Sequence, residues 1–183
     1  MVAAILSGDN KTGVTVQEIS LEMDAGDIIL QEEFPLSGKE KRPDLEEKAA
    51  ELGADALCRA LEQIDSGTVR RREQNDDEAT YCHLIKKEDG LIDWNMDTSY
   101  IERMTRALIP WPTAYTTLDD KSLAVLEAEV LPEERGGKEA APGTVLGIDK
   151  ARGILVQTGN GILAIKKLRL QAKKALDWKS FIN

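Results

Sequence analysis

The carboxylate best placed for chemistry is Asp24, which lies in a short segment, residues 23–27, between two predicted strands. A side chain in such a turn can reach a ligand, and a carboxylate there can accept a proton or orient a base. Gly26 completes an Asp-x-Gly pattern that is also common in ordinary turns. The residue types therefore leave two interpretations of Asp24 open, a catalytic carboxylate and a turn residue. The side chain of Asp27 is expected to form hydrogen bonds with backbone groups of the turn.

The single histidine, His83, stands beside Cys82, but no partner pattern in the sequence completes a nucleophile and its base. We expect an ordinary loop or core role for His83. Cys58 and Cys82 match neither a metal-ligand spacing nor a disulfide framework, so two reduced thiols are expected. The sequence predicts no metal site.

Charge is distributed unevenly along the 183 residues, whose net charge is −9. Residues 150–183 hold eight Lys or Arg and one acidic residue, Asp177, so this stretch carries +7 while residues 1–149 carry −16. A basic end on an acidic chain favours a polyanionic partner that docks at that end. A merely solubilising surface is the alternative that charge alone leaves open.

Hydrophobic periodicity predicts the elements that position Asp24. Residues 12–34 predict two short strands joined by the turn, and residues 44–64 predict an amphipathic helix. Asp44 is the expected N-cap of this helix, because Pro43 should prevent an earlier start.

The second half predicts a short helix over residues 98–108, capped by Asp97 or Ser99, and a last helical turn holding Trp178 and Phe181. Between them, short strands recur every 8–12 residues or so, which is typical of a small antiparallel, OB-like barrel. These strands are expected at residues 113–118, 122–130, 143–148, 154–158 and 162–170, with a loop running to Pro142.

Composition indicates two domains, residues 1–65 and 81–183, joined by a polar linker over residues 66–80. No apolar run approaches the roughly 20 residues of a membrane helix, and residues 1–7 do not resemble a signal peptide. The prediction is a cytoplasmic protein without membrane contact.

Several motifs, in order and at fixed spacing, resemble the formyltransferase family that uses 10-formyltetrahydrofolate, and within it the branch that formylates methionyl-tRNA. The resemblance begins with Gly-Asp-Asn-Lys-Thr-Gly-Val-Thr at residues 8–15 and Met-Asp-Ala-Gly-Asp-Ile at residues 23–28. It continues at residues 86–94, 106–114, 142–146 and 158–161, the second of which contains Pro-Trp-Pro.

This resemblance implies transfer of a formyl group from 10-formyltetrahydrofolate to the methionyl amine of initiator tRNA, by a monomer and without a metal. Asp24 matches the catalytic carboxylate of the family, and Met23, Ala25 and Gly26 fall at its folate-binding turn. Neither the family's Asn-x-His pair nor its Ser-Leu-Leu-Pro loop occurs here. We therefore expect residues 1–65 to be an α/β remnant, the end of a doubly wound catalytic domain, and the chain alone to be inactive.

The second domain resembles the family's tRNA-binding domain, so phosphate contacts are expected from its basic stretch. Trp94 and Trp111 could stack on bases, although packing in the core or at a domain junction is the favoured interpretation. The predicted tRNA-binding residues are Lys150, Arg152, Lys166, Lys167, Arg169, Lys173 and Lys174.

Two other functions stay open at this point. Related formyltransferases modify amino sugars attached to nucleotides, but such small acceptors would leave the +7 stretch without a purpose. A non-catalytic RNA-binding remnant is the second alternative, because most of the family's catalytic groups do not occur in this sequence.

Overall fold

The computed structural model describes residues 1–131 and 140–183, which form two compact units. The first unit consists of Met1 and Asp9–His83, and the second of Val2–Gly8 and Leu84–Asn183. Both are mixtures of helices and antiparallel strands. In the described part of the chain, no helix is long and apolar enough to cross a membrane.

The first unit contains the predicted hairpin, with strands β1 (Lys11–Gln17) and β2 (Ile28–Pro35). The two strands pair antiparallel from Lys11 opposite Pro35 to Val16 opposite Leu30, and a bulge follows Val16. The expectation of two strands around the Asp24 turn is thus confirmed.

A long helix, α2 (Arg42–Asp65), covers the hairpin. Its small residues Ala56 and Ala60 pack on Leu30 of β2, so the helix can approach the strands closely. The predicted start was wrong: Lys41 is the N-cap, and its backbone N–H donates to the Asp44 carboxylate at 2.9 Å. Pro43 lies in the first turn, where its missing N–H has no helical partner to lose.

In the second unit an open antiparallel sheet has the strand order β3-β4-β7-β6-β5, with the short strand β8 paired to β7. The strands are β3 (Ala114–Leu118), β4 (Lys121–Val130), β5 (Val145–Asp149), β6 (Gly153–Thr158), β7 (Gly161–Leu170) and β8 (Leu176–Asp177). The five predicted strands are therefore present. The closed barrel is not supported, because β3 and β5 are sheet edges that do not pair with each other among residues 1–131 and 140–183. Most of the predicted loop before Pro142 lies outside the described residues.

Three helices complete the second unit: α1 (Val2–Ser7), α3 (Thr98–Ala107) and α4 (Trp178–Ile182). The start of α3 is capped by Asp97, one of the two predicted caps, whose carboxylate accepts from the Ser99 N–H at 2.8 Å. Arg103 of α3 donates to the Leu6 carbonyl of α1 at 2.8 Å, which joins the two helices. The core of the unit is aliphatic, with Ile101, Leu108, Val125, Leu163 and Leu168 almost fully buried.

Candidate functional site: an exposed carboxylate turn and a basic groove

Asp24 lies at the tip of the hairpin turn with its carboxylate exposed. Its backbone has φ of +59°, a left-handed conformation in which Asp and Asn are the best tolerated residues after Gly. Gln17 donates from its side-chain amide to the Asp24 Oδ1 at 3.5 Å, a long and weak hydrogen bond. The carboxylate is therefore held at the surface and remains accessible to a ligand.

The turn is fixed mainly by Gln74, a residue that the sequence analysis did not single out. The Gln74 amide donates to the backbone carbonyls of Asp24 at 2.8 Å and of Gly26 at 2.7 Å, and it contacts the Gln17 Oε1 at 3.0 Å. Gly26 is buried, and a Cβ added there would overlap the carbonyl oxygen of Glu18. A side-chain amide and a close backbone approach together define the shape of this turn.

Residues on either side of the turn add to its support. The backbones of Ile28 and Arg72 exchange two hydrogen bonds of 2.8 and 2.9 Å, which brings the segment after α2 beside the hairpin. Arg71 forms an ion pair with Glu18 at 2.6 Å. Part of the segment predicted as a linker therefore pairs with the hairpin inside the first unit.

The predicted folate-binding residues are not equivalent in the structure. Met23 and Ala25 are exposed, whereas Gly26 is buried and shapes the backbone. Met23 is 90% exposed, and Ile19 and Leu21 before it are fully exposed. An apolar group and a carboxylate thus share one short loop, an arrangement that fits a heteroaromatic ligand with polar edges.

The predicted tRNA-binding residues differ in their surroundings. Arg152 and Lys166 both pair with Glu129, at 3.3 and 2.5 Å. Lys167 of β7 lies directly opposite Asp177 of β8, so an acidic residue is its cross-strand neighbour. Lys150 and Lys174 are exposed.

Arg169 and Lys173 are different, because they line one groove of about 460 Å³, which we call the Trp111 groove. Lys87, Trp111 and Tyr115 lie in the same groove, and within residues 1–131 and 140–183 none of its lining residues is acidic. The described residues that line it are Lys87, Trp111, Pro112, Thr113, Tyr115, Ser122, Ala124, Arg169, Gln171, Ala172 and Lys173. Only Trp111, Arg169 and Lys173 of this set were singled out from the sequence.

The floor of the Trp111 groove is the sheet. Tyr115 of β3 lies opposite Ala124 of β4, and Ala124 lies opposite Arg169 of β7. Residues directly opposite one another project from the same face of a sheet, so Tyr115 and Arg169 flank the small side chain of Ala124.

Two backbone contacts place the walls of the Trp111 groove. The 3₁₀ turn Lys87–Gly90 lies directly against Thr113, since a Cβ at Gly90 would overlap the Thr113 carbonyl oxygen. On the other side, the Gln171 N–H donates to the Ser122 carbonyl at 2.8 Å and the Gln171 Oε1 accepts from the Ser122 N–H at 3.2 Å. These contacts bring Lys87 and Lys173 to the groove from distant parts of the chain.

The other residues considered in the sequence analysis are Trp94, the two cysteines and the histidine. Trp94 is half-buried and donates from its indole N–H to Thr116 at 3.2 Å, which agrees with the packing interpretation. Cys58 and Cys82 are exposed free cysteines, and His83 is exposed. Within residues 1–131 and 140–183, no group of three or more His, Cys, Asp or Glu side chains is placed to hold a metal ion.

Comparison with known proteins identifies the family. Residues 1–61 match the family described as "Formyl transferase", and residues 84–183 match "Formyl transferase, C-terminal domain". Among curated proteins, methionyl-tRNA formyltransferase of Treponema denticola is 41% identical over 99% of this chain and 57% of its own length. The protein of the same name from Alkaliphilus metalliredigens is 35% identical over 98% of this chain and 56% of its own length.

The chain thus spans somewhat over half the length of these relatives. Among solved structures, that of HypX from Aquifex aeolicus in complex with tetrahydrofolic acid superposes with a TM-score of 0.67 and 25% identity. That match covers 100% of this chain and 32% of the HypX chain. Because the C-terminal family alone accounts for more than half of the residues, this chain belongs to the formyl transferase family.

Proposed function

We propose that this chain takes part in the transfer of a formyl group from 10-formyltetrahydrofolate to the amine of methionyl-tRNA, in translation initiation. The observation that carries the proposal is the match along both units to two methionyl-tRNA formyltransferases, the nearer of them 41% identical. The exposed carboxylate of Asp24 in a rigid turn supports it, because formyl transfer needs a positioned acid–base group.

In the proposed reaction, the methionyl nitrogen attacks the formyl carbon and forms a tetrahedral intermediate. The nitrogen then loses a proton, the bond from the formyl carbon to the folate nitrogen breaks, and that folate nitrogen gains a proton. Asp24 is proposed to orient the base that handles these protons and to stabilise its charged form. Met23, Ala25 and Gly26 are proposed to line the folate side of the turn, with Met23 supplying apolar contact.

The catalytic role of Asp24 can be tested in a chimera, in which the part of the Treponema denticola relative that precedes the matched region is joined to this chain. Asp24→Asn should lower kcat by roughly 100-fold with little change in tRNA affinity, because Asn fits the left-handed backbone but carries no charge. Asp9→Asn, at another exposed acidic residue of the first unit, is the control. Wild-type turnover in the Asp24 variant would show that the residue only shapes the turn.

The chain of 183 residues alone should show no measurable formyl transfer, since it contains no Asn-x-His sequence. Losing one oxyanion-stabilising donor typically costs about 10²–10³ in rate. The measurement is formylation of methionyl-tRNA by the unextended chain beside the chimera. Formylation of a nucleotide-linked amino sugar by the chimera, and not of tRNA, would instead favour the sugar-modifying branch.

We also propose that the basic stretch binds tRNA, mainly through Arg169, Lys173 and Lys174. The support is that Arg152 and Lys166 already pair with an acidic residue, whereas Arg169 and Lys173 share a groove in which no described lining residue is acidic. Lys150 and Lys167 are secondary candidates.

The experiment is tRNA titration of the whole chain at several salt concentrations. Lys173→Glu with Lys174→Glu should weaken binding more than the matched double change Arg152→Glu with Lys166→Glu, and should make the dependence of log affinity on log salt shallower by roughly 0.7–0.9 per lost phosphate contact. Equal effects of the two changes would contradict this ranking.

We propose that the protein is cytoplasmic, because initiator tRNA is used in the cytoplasm. We also propose that it is a monomer. Light scattering coupled to size-exclusion chromatography tests the monomer, and a stable dimer would contradict it.

A further inference from the structure

The Trp111 groove has properties that a general phosphate-binding surface does not need. We propose that it is a binding site for one unpaired nucleotide of an RNA, with the base stacked on Trp111 and the adjoining phosphate held by Arg169 and Lys173. This inference rests on the proposed function for its RNA partner, and it names the part of that partner which the groove receives.

The first argument is electrostatic. Three cationic residues, Lys87, Arg169 and Lys173, line the Trp111 groove, and none of the described residues that line it is acidic, although the chain as a whole carries −9. Cations gathered in one concave site attract an anion far more strongly than the same charges spread over a surface. The ligand of the groove must therefore carry negative charge.

The second argument is the aromatic lining. Trp111 is 53% exposed in a chain that contains only three tryptophans, and Tyr115 lies in the same groove. A phosphate gains nothing from an indole ring, whereas a nucleobase stacks on it. The combination of cations and an exposed indole thus selects a phosphate that is attached to a base.

The third argument concerns the form of the nucleic acid. A base inside a duplex stacks on its neighbours and offers no free face to a protein ring, so stacking on an aromatic side chain requires an unpaired base. The groove volume of about 460 Å³ falls in the range of roughly 300–1,000 Å³ that is usual for small-molecule sites. One nucleotide, not a length of helix, matches this size.

The fourth argument is that the groove is formed in advance. Thr113, next to Pro112, donates its N–H to the Leu108 carbonyl at 2.8 Å, and its φ is +70°. Lys173 follows a turn in which its own N–H donates to the Leu170 carbonyl at 2.9 Å. The backbone on both sides of the groove is therefore fixed by hydrogen bonds, so little conformational entropy is lost there when a ligand binds.

The test uses the whole chain and a fluorescently labelled single-stranded oligouridylate of about six nucleotides, a length within the usual range for single-strand sites. Trp111→Leu should weaken binding roughly 5- to 100-fold while leaving the salt dependence unchanged, because stacking is lost and phosphate contacts are kept. Arg169→Gln should weaken binding and also make the salt dependence shallower by about 0.7, the value for one phosphate contact of a single strand.

Two variants serve as controls. Trp111→Phe keeps an aromatic ring and should restore most of the affinity, whereas Trp111→Leu should lose affinity even where its unfolding temperature equals that of the Phe variant. Arg59→Gln removes an arginine of the first unit that pairs with Glu32 and should change neither affinity nor salt dependence. Thermal unfolding of each variant verifies the fold, and if Trp111→Leu does not fold, the Phe and Arg169 variants still decide the question.

The inference is overturned if a blunt RNA duplex binds as tightly as the single strand, or if Trp111→Leu binds like the wild type. Its failure is distinguishable from that of the proposed function. A Trp111→Leu chimera that formylates methionyl-tRNA with unchanged KM would remove only the inference, whereas a groove that binds the oligouridylate in a chimera unable to formylate tRNA would remove only the proposed function.

Discussion

The Asp24 turn and the Trp111 groove are both built around a glycine that lies against a backbone carbonyl, Gly26 against Glu18 and Gly90 against Thr113. They differ in how far apart along the chain their parts lie. The turn is almost contiguous and is supported by one distant segment, Arg71 to Gln74, whereas the groove combines residues from Lys87 to Lys173. A catalytic carboxylate can be presented by one loop, but a surface that surrounds a nucleotide must be assembled by the fold.

The largest effects on stability are expected when a methyl group is added at the two glycines that lie against a backbone carbonyl. Gly26→Ala and Gly90→Ala should each lower the free energy of unfolding by about 1–3 kcal/mol, because the new methyl group overlaps a carbonyl oxygen. Tryptophan fluorescence reports the second unit, which contains all three tryptophans, and far-UV circular dichroism includes the long helix of the first.

Gly53 provides the matched control for these changes. It lies within α2, and a Cβ there would meet no atom within 4 Å. Gly53→Ala should therefore raise the free energy of unfolding by up to about 1 kcal/mol. Similar destabilisation by all three Gly→Ala changes would mean that the close approaches at Gly26 and Gly90 are not what matters.

A smaller effect should follow from removing the side chain of Gln74, which binds two backbone carbonyls of the Asp24 turn. Gln74→Ala leaves two backbone carbonyls without their side-chain donor and should cost about 1–2 kcal/mol. The same change should speed proteolytic cleavage of the turn and lower kcat in the chimera. Gln31→Ala, which removes an exposed amide of the same hairpin that bonds Thr15 and Arg72 but neither turn carbonyl, is the control. Unchanged cleavage in the Gln74 variant would show that the turn holds its shape without this residue.

The sequence could predict the features that depend on neighbouring residues, but not those that depend on residues far apart along the chain. The hairpin, the long helix and the Asp97 cap depend on neighbouring residues, so periodicity and capping patterns were enough to find them. The start of α2 was missed because a Pro in the first turn was treated as a barrier.

Periodicity and capping patterns could not predict the long-range contacts that build the Asp24 turn and the Trp111 groove. No local pattern indicates that Gln74 folds back onto residues 24–26, or that Lys87 and Arg169 meet beside Trp111. Such contacts follow from strand register and from backbone approaches across the fold. The same holds for the seven predicted tRNA-binding residues, because no local pattern indicates that Glu129 pairs with two of them.

The smallest effect is expected at Asp97, where one carboxylate joins separated parts of the second unit. Its oxygens accept from Ser99 at the start of α3 and from the Asn160 side chain, 3.0 Å away in the loop between β6 and β7. The Ser99 hydroxyl, followed by Asn160, lowers the pKa of Asp97 below its usual value. The native state therefore favours the charged carboxylate, and this contribution is complete above the unfolded pKa of about 3.9 and is lost as the pH falls through the native pKa.

Removing the cap with Asp97→Ala should reduce the free energy of unfolding at neutral pH by about 1 kcal/mol. Asp97→Asn separates the two parts of this contribution, because the amide oxygen can still accept from the Ser99 N–H at the start of α3 while the group no longer titrates. Its loss at neutral pH should be smaller than that of the Ala variant, and its stability should fall less steeply than the wild type's as the pH drops below about 4. The measurement is urea unfolding by tryptophan fluorescence at a series of pH values. Parallel pH curves for the wild type and Asp97→Asn would show that the charge of Asp97 contributes nothing, and that the link between α3 and the β6–β7 loop depends on hydrogen-bond geometry alone.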